Sequence, residues 1–187
     1  MSELAPIHVY IDTCSFQKLR FNPDITLLLT ASKKRIIKLH VSEVLVWERG
    51  KHHHDSEIKN ERIIPHRASF WRYFAWYKKL FEQYDVCVIK TQKEHLHKVS
   101  SFLNNSEFYF KEKDQRDALV LSVVVNILDR DTLIITDDDN LRAAFIQEGY
   151  ANCKKIDSLF NDLRNKVGCN ISIQLPEINE IEDSQLS

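Results

Sequence analysis

The sequence predicts an α/β protein built on a largely parallel central sheet. Short segments rich in β-branched residues alternate along the chain with longer segments whose apolar residues recur at helical spacing. The segment IHVYID at 7–12 is a short apolar run that ends in the polar TCS, as a buried strand does when it reaches the surface. Because helices separate the strands, we expect the strands to pair in parallel and to be covered on both faces.

The first half of the chain follows this strand-and-helix order. After the first strand, Asn22, Pro23 and Asp24 are typical of a helix start, and the basic SKKR at 32–35 suits a helix end. The segment IIKLHV at 36–41 is the second predicted strand. Ser42 is the expected N-cap of the helix that follows.

The second half repeats the same alternation. Aromatic residues recur every three or four positions in 61–83, which predicts a long amphipathic helix. The apolar residues of 113–129 have the same spacing, and Asp157 is the expected cap of the last helix. We expect further strands at 84–90 and 132–136, and helices at 61–83, 92–104, 113–129, 139–148 and 157–167.

Length and composition are those of one globular domain. A chain of 187 residues with 43% hydrophobic residues is long enough for one core and too apolar for disorder. The net charge of −1 gives no overall attraction to a polyanion, so nucleic-acid binding would need local basic surface or metal ions. We assign residues 1–175 to a single domain with a helical insertion near 49–83, and 176–187 to an acidic, mobile tail.

The cysteines and the start of the chain predict a cytoplasmic protein with reduced thiols. The four cysteines, at 14, 87, 153 and 169, form no CxxC pair, and MSELAP lacks the features of a signal segment. No apolar run approaches the roughly 20 residues that cross a bilayer. The sequence has no glycine-rich phosphate loop, so it predicts no nucleotide cofactor.

Acidic residues gather where the predicted strands end. Asp12 closes the first strand, three aspartates follow LIIT, and Glu48, Asp114 and Asp117 lie on helices that can approach the same edge. Adjacent carboxylates raise one another's pKa unless a cation or hydrogen bonds hold them. Mg²⁺ and Mn²⁺ prefer oxygen ligands and keep several waters. The set therefore predicts a site for such an ion, open to a substrate phosphate.

These motifs resemble those of the PIN-domain nucleases. VYIDTCSF with Asp12, VSEVLVWE with Glu48, KDQRDALVLS with Asp117 and ITDDDNL with Asp138 occur in the family's order, within about residues 7–160. The resemblance implies a PIN-like three-layer α/β/α sandwich. It also implies that the four acidic residues are catalytic, bind one or two Mg²⁺ or Mn²⁺ ions and activate water for cleavage of single-stranded RNA.

The resemblance implies further roles and partners. Thr13 and Ser15 would contact the substrate phosphate or support the metal ligands, and Thr136 would hydrogen-bond near the metal. Family members of this size are often toxins of toxin–antitoxin pairs or RNA-processing enzymes. The implied partners are therefore RNA, a protein inhibitor or antitoxin, and a second copy of the chain, with no membrane. The long segment 49–83 departs from compact members of the family, and a partner-regulated binding or scaffold module with little turnover is the alternative function.

Several ligand assignments stay open from the sequence alone. Glu43 competes with Glu48 because it lies nearer the strand end, although its charge also suits a helix N-terminus. Asp114 shares a helical side with Asp117 and equally suits a cap. The T-x-D spacing favours Asp138. Asp137 and Asp139 remain candidate ligands, and an N-cap cluster is the structural alternative for all three.

Other clusters have structural explanations. HHHD at 52–55 lacks the spaced partners of a closed zinc site, so we expect a solvated loop. The aromatic and basic side chains of 70–79 are expected in the core, with base stacking as the alternative. The cations at 33–35 are expected to end a helix, with RNA backbone contact as the alternative. Cys14 has no histidine fixed beside it, so a thiol nucleophile is not expected.

Overall fold

A central sheet of five parallel strands organises the molecule. The computed structural model describes residues 5–19, 21–60, 67–104 and 114–167, together with Leu175. Within these ranges the strand order is β3-β2-β1-β4-β5, and every neighbouring pair is parallel. The strands are β1 Ile7–Ile11, β2 Ile37–Ser42, β3 Cys87–Ile89, β4 Leu133–Ile135 and β5 Cys153–Lys154.

Helices cover both faces of the sheet. Residues of α1, α2, α3, α4 and α8 share one buried apolar cluster with the sheet, and residues of α5, α6 and α7 share a second. The result is the three-layer α/β/α arrangement that the alternating sequence predicts. The helices are α1 Thr13–Gln17, α2 Thr26–Lys33, α3 Glu43–Lys59, α4 Arg67–Gln83, α5 Lys93–Asn104, α6 Gln115–Ile127, α7 Asp139–Gln147 and α8 Ile156–Val167.

The chain order places a switch point between β1 and β4. From β1 the chain moves outward through β2 and β3, then crosses back to add β4 and β5 on the other side of β1. The connections after β1 and β4 therefore diverge at the carboxyl ends of these strands. In open parallel sheets this divergence leaves the crevice in which ligands bind.

The structure departs from the predicted elements at several places. It adds α1 and β5, two short elements with too few residues for a periodic signal. A π-helical turn, Phe21–Ile25, precedes α2, so the regular helix begins after the Asn22 to Asp24 start signal. Helix α8 begins at Ile156, which places Asp157 inside its first turn rather than at the cap. Ser42 does cap α3, accepting a hydrogen bond from the Leu45 amide at 3.3 Å.

The HHHD run belongs to α3, and the loop prediction for it is wrong. The helix extends to Lys59 because its second half packs along α4. The His53 ring lies 4.4 Å from that of Tyr73, and burial lowers the pKa of His53. Gly50 permits the close approach, since a Cβ there would lie 3.0 Å from the Phe74 amide nitrogen.

The aromatic residues of α4 lie mainly in the core, as predicted. Tyr73, Trp76, Tyr77 and Phe81 are all buried. The cations at 33–35 end α2, also as predicted. Residues 61–66 and 113 of the predicted helices, and the tail at 176–187, lie outside the described residues. Within the described ranges, no helix combines the length and apolarity needed to cross a membrane.

Candidate functional site

Asp12 and Thr136 meet at the switch point because the strands that precede them are in register. Ile11 pairs with Ile135, and the Asp12 amide donates to the Ile135 carbonyl oxygen at 3.1 Å. The next residue of each strand therefore projects at the same edge. The Thr136 hydroxyl donates to Asp12 Oδ2 at 2.6 Å.

The Asp12 carboxylate is buried and hydrogen-bonded on both oxygens. Only 1% of the residue is exposed. Its Oδ1 caps α1 by accepting from the Ser15 amide at 2.7 Å. Burial raises the pKa of Asp12, while the Thr136 and Ser15 hydrogen bonds lower it and the charge of Asp137 raises it further. The two hydrogen bonds hold the side chain in one orientation.

A cavity of about 110 Å³ opens above Asp12. Three acidic residues line it, each from a different part of the fold: Asp12 after β1, Glu48 on α3 and Asp117 on α6. The cavity is also lined by Thr13, Cys14, Gln17, Val44, Arg116, Val120 and Leu141.

Asp117 is a second cavity carboxylate whose pKa is raised above its ordinary value. Burial, followed by the negative charges of Asp138, Asp114 and Asp12, raises its pKa to about 6, against a lowering by Arg116. The influence of Asp138 and Asp12 on Asp117 shows that carboxylates from three elements share one electrostatic environment. Of the three aspartates that the sequence predicts to converge, Asp12 and Asp117 line the cavity and Asp138 does not.

Glu48 is held by a cation from the same cavity. Its Oε1 forms an ion pair with a guanidinium nitrogen of Arg116, which lies beside Asp117 in the first turn of α6. The Glu48 side chain is 11% exposed, whereas that of Arg116 is 71% exposed. The guanidinium therefore reaches inward from the surface to the rim of the cavity.

Asp138 caps a helix and does not line the cavity, although its charge acts on two residues that do. Its Oδ1 accepts hydrogen bonds from the Asn140 and Leu141 amides, both at 2.9 Å, so it is the N-cap of α7. Its amide donates to Thr136 Oγ1 at 3.2 Å. The capping alternative is correct for Asp138, and its charge still acts on Asp117 and Cys14.

The other two aspartates of the triplet turn toward basic side chains. Asp137 Oδ2 lies 3.3 Å from Lys18 Nζ, and its Oδ1 accepts from the Ile156 amide at 3.4 Å. Asp139 Oδ1 lies 2.6 Å from Arg142 and 3.7 Å from Lys155. Neither residue lines the cavity. The tertiary structure thus separates three consecutive carboxylates into three environments.

Glu43 and Asp114 do not line the cavity either. Glu43 Oε2 accepts from the Thr91 amide at 3.2 Å, which joins the start of α3 to the segment after β3. Asp114 is the N-cap residue of α6 by backbone position, without a side-chain cap hydrogen bond, and its charge raises the pKa of Asp117. Between the two glutamates, the structure places Glu48 at the cavity.

The hydroxyl residues predicted around the site have distinct places. Ser15 Oγ accepts from the Asp137 amide at 2.8 Å, and Thr136 bridges Asp12 and Asp138. Thr13 lines the cavity, and within the described part of the chain its buried hydroxyl has no hydrogen-bond partner. Thr13 is therefore the hydroxyl that remains available to a ligand.

Cys14 also lines the cavity but does not have the character of a nucleophile. Burial and the charges of Asp12, Asp117, Asp138 and Glu48 raise its thiol pKa to about 11. The thiolate is disfavoured among these carboxylates, which agrees with the sequence-based expectation. The cysteines at 14, 87 and 153 are free, and Cys169 lies outside the described residues.

Sequence reasoning assigned no role to Arg116. This residue lies inside the KDQRDALVLS motif, and its only sequence signal is its position beside Asp117. Its pairing with Glu48 spans 68 positions, so no local pattern could reveal it. Among the side chains that the structure describes, no three histidine, cysteine, aspartate or glutamate residues already form a metal-binding group.

Comparison of the chain with models of known protein families and with curated proteins found no match.

Proposed function

We propose that this protein is a Mg²⁺- or Mn²⁺-dependent endoribonuclease of the PIN-like type. The observation that carries the proposal is the convergence of Asp12, Glu48 and Asp117, from three separate elements, on one cavity at the β1/β4 switch point. Three carboxylates line this cavity, and such oxygen ligands suit a divalent cation such as Mg²⁺ or Mn²⁺.

The residues present fit such a cation in donor chemistry. Asp12, Glu48 and Asp117 would hold it, with Asp138 adding negative charge from the cap of α7. A bound Mg²⁺ or Mn²⁺ supplies positive charge to a phosphodiester and helps to ionise the attacking water. The chain itself fixes Asp12 through Thr136 and Ser15, and offers the Thr13 hydroxyl to the substrate.

An exposed tryptophan next in sequence to Glu48 supports a single-stranded substrate. Trp47 precedes Glu48 on α3 and is 41% exposed. Its ring lies 6.0 Å from that of Phe70 and 5.7 Å from the ammonium of Lys51. Unpaired bases stack on such rings while neighbouring cations contact the backbone phosphates. RNA and a cytoplasmic location remain parts of this proposal.

The direct test is cleavage of a labelled single-stranded RNA by the pure protein with Mn²⁺. We expect cleavage that chelator abolishes, and a loss of at least about 100-fold in kcat for Asp12→Asn. Asp138→Asn is expected to lose activity as well. Asp131→Asn, an exposed carboxylate in the loop after α6, is the matched control and should remain active. Cleavage that resists chelator, or a fully active Asp12→Asn, would contradict the proposal.

The Glu48–Arg116 ion pair favours one alternative, a binding module with little turnover. A guanidinium that already neutralises Glu48 lessens the need for a metal in the resting protein. In that case Mn²⁺ or RNA would bind without cleavage, under the control of an inhibitor, an antitoxin or a second copy of the chain. Mn²⁺-dependent turnover by the isolated protein decides against this alternative.

A further inference from the structure

The Arg116 guanidinium pairs with Glu48, the third carboxylate that lines the cavity. Asp12 and Asp117 face the cavity, and Glu48 faces it too, but an oxygen of Glu48 is taken by Arg116. A cation that uses this oxygen of Glu48 competes with the guanidinium for it.

The displaced guanidinium would remain at the cavity mouth. Arg116 is fixed in the first turn of α6 directly before Asp117, and most of its side chain is exposed. A freed arginine at this place presents a planar fork of donors, which matches the oxygens of a phosphodiester. Arg116 can therefore pair with Glu48 before the cation binds and with a substrate phosphate afterwards.

We propose that Arg116 is an exchangeable counter-ion: it neutralises Glu48 in the cation-free protein, yields Glu48 to the divalent cation, and then binds a substrate phosphate next to the cavity. The inference rests on the proposed function for its substrate and on the ion pair for its mechanism. It assigns Arg116 opposite effects on two affinities. The residue lowers the affinity for the cation and raises the affinity for RNA.

Calorimetric titration with Mn²⁺ alone tests the first effect without any turnover. We expect Arg116→Met to bind Mn²⁺ about five- to tenfold more tightly than the wild type, because its competitor for Glu48 is gone. In a Glu48→Gln background the same substitution should change Mn²⁺ affinity less than twofold. Arg130→Met removes a charge beyond the other end of α6, where Arg130 pairs with Glu148, and should leave Mn²⁺ affinity unchanged.

Steady-state cleavage of a short single-stranded RNA at saturating Mn²⁺ tests the second effect. Arg116→Met should raise KM at least fivefold, and Arg116→Lys should raise it less because the positive charge remains. Circular dichroism of each variant verifies folding. Unchanged or weaker Mn²⁺ binding by Arg116→Met overturns the counter-ion role, and an unchanged KM overturns the phosphate role. Tighter Mn²⁺ binding in a protein that never cleaves RNA would leave the counter-ion role standing and reject the proposed nuclease function.

Discussion

The hydroxyl of Thr136 donates to Asp12 Oδ2 at 2.6 Å and accepts from the Asp138 amide at 3.2 Å. One side chain thus connects the carboxylate after β1 to the cap of α7. Thr136 and Asp12 are both almost fully buried, so neither can exchange this bond for one to bulk water.

Thr136→Val should therefore destabilise the protein by about 1–3 kcal/mol. The substitution keeps the side-chain shape but leaves Asp12 Oδ2 without its donor. Urea unfolding at neutral pH measures the change. Thr132→Val is the control, because within the described residues the buried Thr132 hydroxyl has no hydrogen-bond partner. The Thr132→Val variant should be as stable as the wild type or slightly more stable. An equal loss of stability in both variants would show that the hydrogen bond from Thr136 to Asp12 does not contribute to stability.

Asp117→Asn should stabilise the cation-free protein while removing cation binding. The pKa of Asp117 is about 6 in the folded protein, above its ordinary value of 3.8. Its contribution to stability is therefore present at low pH and is lost as the pH rises through 6. Near pH 7.5 with chelator, loss of the charge should raise the free energy of unfolding by no more than about 2 kcal/mol, since the group is partly exposed.

Thermal unfolding separates the two effects of Asp117→Asn. Mn²⁺ should raise the Tm of the wild type but not that of the variant, because only a cation that binds the folded state stabilises it. Asp131→Asn should behave as the wild type in both conditions. If Asp117→Asn unfolds at a lower temperature than the wild type in chelator, interactions within the folded protein already stabilise the Asp117 charge.

Cation binding should weaken below about pH 6. Protons compete with the cation for Asp117, whose pKa is about 6, so Mn²⁺ affinity should fall by up to about tenfold for each pH unit below that value. Above about pH 7 the affinity should be nearly constant for this group. Calorimetric titrations across this range measure the dependence. A constant affinity down to about pH 5 would remove Asp117 from the binding site.

The stability of the protein should also fall in mild acid because of His40. This residue of β2 is 4% exposed. Burial lowers its pKa from 6.5 to about 4, assisted by the positive charges of His8 and Lys38. In mild acid the His40 side chain therefore binds a proton in the unfolded chain but not in the folded protein. Stability is fully present above pH 6.5 and is lost as the pH falls toward 4, by up to about 3 kcal/mol.

A His40→Leu variant should lack this part of the pH dependence. Urea unfolding of wild type and variant between about pH 7 and pH 4.5 gives the difference between the two slopes. His97→Leu is the control, because His97 is an exposed residue of α5. Parallel slopes for the wild type and His40→Leu would contradict the assignment.

Gly50→Ala should destabilise the α3–α4 pair. The added Cβ would lie 3.0 Å from the Phe74 amide nitrogen and 3.1 Å from its Cα, and backbone atoms cannot turn aside as a flexible side chain can. We expect a loss of about 1–3 kcal/mol in urea unfolding, despite the higher helix propensity of alanine. Ser56→Ala on the same helix is the comparison. A neutral Gly50→Ala would mean that the two helices separate at little cost.

The sequence by itself determined the α/β class, the order of the longer elements and the cap at Ser42. Such features depend on periodicity and local hydrogen bonding, which act between residues a few positions apart. It also predicted a site formed by Asp12, Glu48, Asp117 and Asp138, through the resemblance of their motifs to those of the PIN-domain nucleases, and the structure places the first three around one cavity. Short elements such as α1 and β5 were not predicted because they contain too few residues to show a period.

Only the tertiary structure decided how the acidic residues differ. The triplet at 137–139 has no internal feature that distinguishes its members, yet Asp138 caps α7 while Asp137 and Asp139 face Lys18 and Arg142. The HHHD run became helical through its packing on α4, and Arg116 reached Glu48 across 68 positions of sequence. Contacts of this kind form between distant segments, so their energies depend on the assembled fold and leave no periodic trace in the chain.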